Sequence, residues 1–149
     1  MRAQIHSAGI VPIYECPSGP QVLLVEQQHG TEGTRWVFPK GKQEPGEELI
    51  DTAKREIKEE TNLDVTKVIE DNPFQVKFEF THKGDIADKI VTYFLGFVDD
   101  QNVKLCPDEV LDSSWLSFQE VREKLTFDVD RCLFDEVVSF YTEQKGGKR

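Results

Sequence analysis

The sequence contains no apolar run that could cross a bilayer, because a membrane-spanning helix needs about 20 consecutive apolar residues. Residues 1–15 also lack the layout of a secretory signal, so we expect a cytoplasmic protein. Cysteine is scarce: the three present, Cys16, Cys106 and Cys132, are widely spaced and form neither a CxxC motif nor a zinc-binding pattern. A reduced setting is the simplest interpretation.

Basic residues are also few. The chain has 18 Lys and Arg against 28 Asp and Glu, which gives a net charge of -10. General affinity for nucleic acid or for anionic membranes rests on basic surface, so this composition argues against both kinds of partner. It does not exclude a small phosphorylated ligand, because a bound metal ion and a few cations can reverse the local field.

The 149 residues suit one domain with a single core, and we find no repeat or linker. We predict a domain over residues 1–144, a flexible basic tail over 145–149, and a monomer. Apolar patterning predicts strands over 7–14, 21–26, 36–38, 74–80, 89–98 and 113–116. It predicts helices over 47–61, 117–125 and 128–143. This mixture of elements is typical of an α/β fold with a mixed sheet between helices.

The apolar residues of the first and last helices predict which sides are buried. In the first helix, the stripe consists of Leu49, Ile50, Ala53 and Ile57. In the last helix, the predicted buried residues are Val129, Cys132, Leu133, Val137 and Phe140.

The most informative segment is acidic: residues 55–60 read Arg-Glu-Ile-Lys-Glu-Glu. Glu56, Glu59 and Glu60 share one face of the predicted helix, because residues three and four apart are neighbours. Each like-charge pair costs roughly 0.2–0.5 kcal/mol, and the C-terminal end of a helix disfavours anions. The cluster therefore indicates a missing partner, and a hard divalent cation that prefers oxygen ligands fits.

Residues 41–63, GKQEPGEELIDTAKREIKEETNL, resemble the signature box of the Nudix hydrolases. The matching positions are Gly41, Glu47, Arg55, Glu56, Ile57, Glu59, Glu60 and Leu63. One position departs, since Asn62 stands where the family has glycine. A left-handed helix cap is expected there, and Asn is the next most tolerant residue for it.

The resemblance implies an α/β/α sandwich that hydrolyses a nucleoside diphosphate linked to another group, by attack of water on phosphorus. It implies Mg²⁺ as cofactor, with Mn²⁺ also possible. The carboxylates of Glu56, Glu59 and Glu60 would hold the metal together with the backbone carbonyl of Gly41.

The resemblance says less about which residues orient the metal ligands and which residue acts as general base. Glu47 and Arg55 would orient the metal carboxylates, because an Arg fork binds carboxylates bidentately; a helix pair between Arg55 and Asp51 is the alternative. Glu56, Glu59 or an acid outside the box would act as general base. Glu109 is that outside candidate, and it is also a candidate metal ligand or a plain surface acid.

Outside the box, three segments resemble the asymmetric diadenosine tetraphosphate hydrolases: 36–47, 89–94 and 108–116. This branch implies cations that bind a polyphosphate, and we predict Lys40, Lys83 and Lys89. It also implies an aromatic partner for adenine, and we predict Tyr93, with a core aromatic as the alternative reading.

Other substrates also fit the box. They are a 5′-triphosphorylated RNA end, a nucleoside triphosphate and a diphosphoinositol polyphosphate. A non-catalytic domain of the family that binds a nucleotide is the alternative of another class.

Overall fold

The computed structural model describes residues 3–31 and 33–146, which form seven strands and three helices. The strands are β1 (Ala3–Cys16), β2 (Gly19–Gln28), β3 (Thr34–Val37), β4 (Lys40–Lys42), β5 (Lys67–His82), β6 (Asp85–Phe97) and β7 (Asp112–Leu116). The helices are α1 (Leu49–Thr61), α2 (Phe118–Lys124) and α3 (Asp128–Gly146). None of these helices is long and apolar enough to span a membrane.

Strand β1 is the centre of a mixed sheet. It runs parallel to β6 and antiparallel to β2 and β4, and the strand order is β3-β2-β1-β6-β5. Strand β7 pairs with β2. Successive side chains of a strand point to opposite faces, so Ala8 and Ile10 belong to the core on one face, while Val11 and Ile13 belong to the core on the other.

Helices cover both faces, which confirms the predicted α/β sandwich. Helix α1 buries Ala53 and Ile57 against β1, with Leu49 and Ile50 partly buried beside them. Helices α2 and α3 cover the opposite face. The cap at Ser117 forms the reciprocal pair of hydrogen bonds with Glu120 that defines a capping box.

The prediction for the buried side of α3 is partly wrong. Leu133 and Val137 are buried, but Val129 and Cys132 are exposed. The buried stripe of α3 instead consists of Asp130, Leu133, Phe134, Val137 and Tyr141. That set follows the helical period more closely. A prediction from apolar residues alone could not find it, because one member, Asp130, is an acid.

Both ends of α1 follow from local chemistry. The helix begins at Leu49, after Glu48 as N-cap, and ends before Asn62, which has a left-handed φ of 63°. The Asn62 amide donates to the Lys58 carbonyl at 2.9 Å, so the asparagine performs the capping role of glycine.

At the C-terminal end of the chain, α3 continues to Gly146, and Lys145 Nζ lies 2.6 Å from Glu15. The remainder of the predicted tail, 147–149, lies outside the described residues.

Candidate active site

Helix α1 and the short strand β4 meet at Gly41. Strand β4 pairs with β1 through Ala8 and Gly41, and the carboxyl group of Glu56 lies against the Gly41 backbone. A Cβ atom at position 41 would overlap that carboxyl group. The glycine is therefore required for space, because only a residue without a side chain lets a carboxylate approach the backbone this closely.

Arg55 organises the carboxylates around this point. Its Nε and Nη2 atoms donate to the two oxygens of Glu47 at 2.7 and 3.0 Å, a bidentate pair. Its Nη1 atom donates to Glu56 at 2.8 Å and to Glu59 at 3.0 Å. Nη2 also donates to the Lys42 carbonyl, which ties α1 to β4. Arg55 thus holds three acids of the predicted box together.

The alternative reading of Arg55 as a helix partner of Asp51 finds no support, since no bond joins these two among the described residues.

Glu47 is held from several sides. Arg55, the Glu44 amide and the Thr52 hydroxyl all donate to its carboxylate. The Arg55 hydrogen bonds, followed by that of the Glu44 backbone, lower the pKa of Glu47 to about 2.

This lowered pKa predicts how the loss of stability in Glu47→Gln depends on pH. A carboxyl whose pKa is depressed in the folded state stabilises the fold above its unfolded pKa of 4.5 and loses this contribution as pH falls toward 2. We expect Glu47→Gln to unfold at lower urea concentration than wild type at pH 7, and the difference to shrink between pH 4.5 and 2. A difference that stayed constant over that interval would contradict the role of the Arg55 pair.

Glu60 differs from Glu47, because it is buried, with 2% of its surface exposed. Gln27 Nε2 donates to it at 3.4 Å. Burial raises the pKa of Glu60 well above its usual value, and the adjacent charge of Glu56 raises it further. Two neighbouring acids, one of them buried, form an arrangement that a cation would stabilise.

This donor set fits a hard divalent cation: carboxylates of α1 beside the backbone of a glycine. Across residues 3–31 and 33–146, however, no three Asp, Glu, His or Cys side chains already form a closed metal site. The guanidinium of Arg55 lies 2.8 Å from Glu56 and 3.0 Å from Glu59. Glu59 is the most exposed of the three glutamates, with 42% of its side chain accessible.

The predicted outside acid, Glu109, reaches the same place. The loop that contains it is tied to the end of α1, where the Cys106 amide donates to the Glu60 carbonyl at 3.3 Å. Glu109 lines the cleft together with Glu56 and Glu60, and its charge contributes to the raised pKa of Glu60. The glutamate itself is exposed.

Cations also line the cleft. Lys40 and Lys89 are both there, as predicted, and Arg35 joins them from β3. Burial and the charge of Lys89 lower the pKa of Lys40 to about 8, while burial and Arg35 lower that of Lys89. Mutual repulsion of this kind is what an anionic ligand would relieve. Lys83 is exposed in the β5–β6 turn, and it does not line the cleft.

Tyr93 occupies a different place from the one predicted. Its ring is fully buried in the core and packs edge-on against Phe38, with centroids 5.5 Å apart. No face of the ring is free to stack on a base in this structure, which agrees with the alternative reading as a core aromatic. Phe78 of β5 lines the cleft and is 39% exposed. The alternation of Phe74 and Phe78 with polar residues in the sequence predicted that both lie on one face of a strand. It did not predict which of the two stays exposed.

Two connected cavities make up the site. The larger, about 740 Å³, is lined by Gly41, Glu56, Glu60 and Glu109 together with the cations Arg35, Lys40 and Lys89. The smaller, about 340 Å³, is mainly apolar and shares five residues with it, namely His29, Arg35, Lys40, Phe78 and Lys89. A third cavity of about 490 Å³, beside Tyr14 and Tyr141, shares no residue with either.

Two known proteins are similar to this chain in sequence. The mouse bis(5′-nucleosyl)-tetraphosphatase [asymmetrical] is 29% identical over 108 residues, 72% of this chain and 71% of that protein. The mRNA-decapping enzyme subunit 2 of Saccharomyces cerevisiae is 46% identical over 54 residues, which are 36% of this chain. The chain spans only 5% of the length of that yeast protein.

Solved structures share the fold. A Caenorhabditis elegans (C. elegans) Ap4A hydrolase in a binary complex superposes with a TM-score of 0.78 at 23% identity, covering 93% of this chain and 98% of that one. The NUDIX domain of Shewanella oneidensis NrtR, complexed with ADP ribose, gives 0.76 at 18% identity, with coverage of 95% and 90%. The family model for the NUDIX domain matches residues 5–136. Because this match includes the sheet, α1 and the glutamate cluster, the chain belongs to the NUDIX domain family.

Proposed function

We propose that this protein is a divalent-metal-dependent hydrolase of nucleoside polyphosphates. The observation that supports the proposal is the cleft itself, because acids beside Gly41 line the same cavity as the cations Arg35, Lys40 and Lys89. The acids suit a metal ion and the cations suit phosphate oxygens. Phosphoryl transfer requires both, because negative charge on the reacting phosphate must be neutralised while water attacks.

Glu56, Glu59 and Glu60, with the carbonyl of Gly41, are the residues that would hold Mg²⁺ or Mn²⁺. When bound, such an ion neutralises phosphate charge and acidifies a coordinated water. Arg55 would orient Glu56 and Glu59 through the hydrogen bonds it already makes. Lys40 and Lys89 would bind the phosphate chain, since burial and neighbouring positive charges lower the pKa of each and an anion would offset both effects.

The general base is proposed among Glu56, Glu59 and Glu109. A base must come within hydrogen-bond reach of the attacking water and be ionised at neutral pH. Glu109 is exposed on the cleft wall and is not held by Arg55, whereas Glu56 and Glu59 both are. These contacts favour Glu109 as the acid that is free to take up a proton.

We propose diadenosine tetraphosphate as substrate, with asymmetric cleavage to ATP and AMP. Two features support this choice. The mouse relative with this activity in its name aligns over most of both chains. The larger cavity also has room for an extended polyphosphate beside three cations, with a smaller apolar cavity next to it for a base.

Product analysis by chromatography tests the proposal. Purified protein is incubated with diadenosine tetraphosphate, with a nucleoside triphosphate and with 5′-triphosphorylated RNA, each with and without Mg²⁺. We expect ATP and AMP from the dinucleotide, only with metal, and faster than either other reaction. Faster metal-dependent cleavage of another substrate would retain the hydrolase and reject the dinucleotide. Nucleotide binding without turnover would favour a non-catalytic domain.

The yeast decapping enzyme justifies one further arm of that experiment, since its local identity of 46% is the higher of the two relatives. Capped RNA is therefore included as a substrate. The net charge of -10 argues against a long RNA partner, so we expect capped RNA to react more slowly than the dinucleotide.

A further inference from the structure

Gln27 lines the larger cavity, and the proposed function gives it no role. It lies near the end of β2, and β3 places Arg35 directly opposite it in the antiparallel ladder. Directly opposite residues project from the same face of a sheet, so the two side chains are neighbours. Glu60 reaches the same cavity from the last turn of α1. Three elements of the fold therefore converge on one amide group.

The Gln27 amide bridges an acid and a cation of the cleft. Its Nε2 atom donates to Glu60 Oε1 at 3.4 Å, and its Oε1 atom accepts from Arg35 Nη2 at 3.4 Å. The two neighbours determine this orientation of the amide, because a guanidinium only donates hydrogen bonds and an ionised carboxylate only accepts them. A flipped amide would place donor against donor and acceptor against acceptor.

The orientation of Arg35 depends on this contact. The bond to Gln27 is the one hydrogen bond that the Arg35 side chain makes among the described residues, and its Nε atom is buried without a partner there. No described carboxylate forms an ion pair with the guanidinium. Its positive charge is therefore oriented by a neutral group and remains available to an anionic ligand.

A neutral amide suits position 27 better than a charged side chain. A carboxylate there would bind Arg35 but would also neutralise its charge, and an ammonium group would do the same to Glu60. An amide has both an acceptor and a donor and carries no net charge. It can therefore orient both neighbours while each keeps its charge for a ligand.

We propose that Gln27 is a positioning residue, whose amide orients Arg35 toward a phosphate oxygen and Glu60 toward a divalent cation. This inference rests on the proposed function, because it takes these two neighbours to bind phosphate and metal. Gln27 acts through them, so its loss weakens both kinds of binding together.

The test measures the two kinds of binding separately in wild type, Gln27→Met, Gln27→Glu and Gln119→Met. Mn²⁺ affinity is measured by electron paramagnetic resonance without nucleotide. Affinity for inorganic tripolyphosphate, a probe without a base, is measured by isothermal titration calorimetry in the presence of a chelator. Gln119→Met is the matched control, because the Gln119 amide also donates to an acid, Glu123 at 3.5 Å, but is exposed on α2 and outside the cleft.

Gln27→Met removes both hydrogen bonds and keeps a side chain of similar length. We expect it to lower Mn²⁺ affinity by roughly 10- to 100-fold, the range for residues that orient metal ligands. Tripolyphosphate affinity should fall by roughly 2- to 12-fold, the range for one hydrogen bond. Gln27→Glu should lower only the tripolyphosphate affinity, because the new carboxylate neutralises Arg35 but adds an acid beside Glu60. The control should change neither affinity.

Unchanged affinities in Gln27→Met would overturn the assignment. Equal losses of both affinities in Gln27→Met and Gln27→Glu would also overturn it, since parallel losses are what a purely structural role gives. If Gln27→Met does not fold, as judged by its circular dichroism, Gln27→Ala takes its place and is expected to lower both affinities.

Turnover of the substrates of the product analysis, measured on the same samples, lets the two proposals fail separately. The expected binding losses without turnover in wild type would reject the hydrolase and retain Gln27. Wild-type turnover with unchanged affinities in Gln27→Met would do the reverse. Absence of binding of both probes by wild type would overturn both proposals.

Discussion

Glu60→Gln and Glu59→Gln are each expected to lower turnover by about two orders of magnitude or more. Metal-ion catalysis supplies several kcal/mol of transition-state stabilisation, and each 1.36 kcal/mol corresponds to a factor of ten in rate. Glutamine keeps the size and one oxygen of the side chain but loses its charge. The fold should survive, because Glu60 is a buried acid whose pKa is raised by burial and by Glu56. Removing it should leave the melting temperature without metal unchanged or higher.

Asp51→Asn is the matched control, since Asp51 is an exposed acid of the same helix and outside the cleft. It should retain wild-type kcat/KM. Rates are measured on the best substrate of the product analysis over a range of Mg²⁺ concentrations, with melting curves recorded in the presence of a chelator. Wild-type turnover in both glutamate variants would reject the metal assignment. A large loss of melting temperature in Glu60→Gln would show instead that the carboxylate stabilises the fold.

Gly41→Ala is expected to lower metal affinity by roughly 10- to 100-fold, the range for residues that orient metal ligands. The added Cβ would overlap the carboxyl group of Glu56. The end of a glutamate side chain can rotate away, so we expect the fold to persist while Glu56 loses its place against the backbone and its 2.8 Å bond to Arg55. Electron paramagnetic resonance of bound Mn²⁺ measures this affinity independently of turnover.

Gly9→Ala provides the contrast. Its Cβ would overlap the Pro39 carbonyl oxygen, a backbone atom that cannot rotate away. We expect this variant to lose about 1–3 kcal/mol of unfolding free energy, as overpacked sites do. If both glycine variants lost stability equally and kept their Mn²⁺ affinity, the role assigned to Gly41 would be wrong.

The local signals in the sequence were sufficient for the helices, for most of the strands and for the acidic face, but they did not predict β4 or the first half of β5. Glu56, Glu59 and Glu60 share a face because helical spacing determines it, and Asn62 ends α1 in the left-handed conformation expected of a glycine substitute. The capping box at Ser117 was equally readable. These features depend on residues within a few positions of one another, so no tertiary information was needed.

The position of each side chain in three dimensions was decided by packing between distant elements. Arg35, Phe78 and Asp130 lie on β3, β5 and α3, and nothing in their local sequence indicates that they meet at one cavity. The prediction that Tyr93 is accessible to a base was wrong for a related reason. A strand alternates its side chains between two faces of the sheet, but the strand's own sequence does not show how the helices cover each face. The sequence by itself determined the chemistry of the acids on α1, whereas the tertiary structure alone decided which residues share their cleft, because that cleft joins residues far apart in the chain.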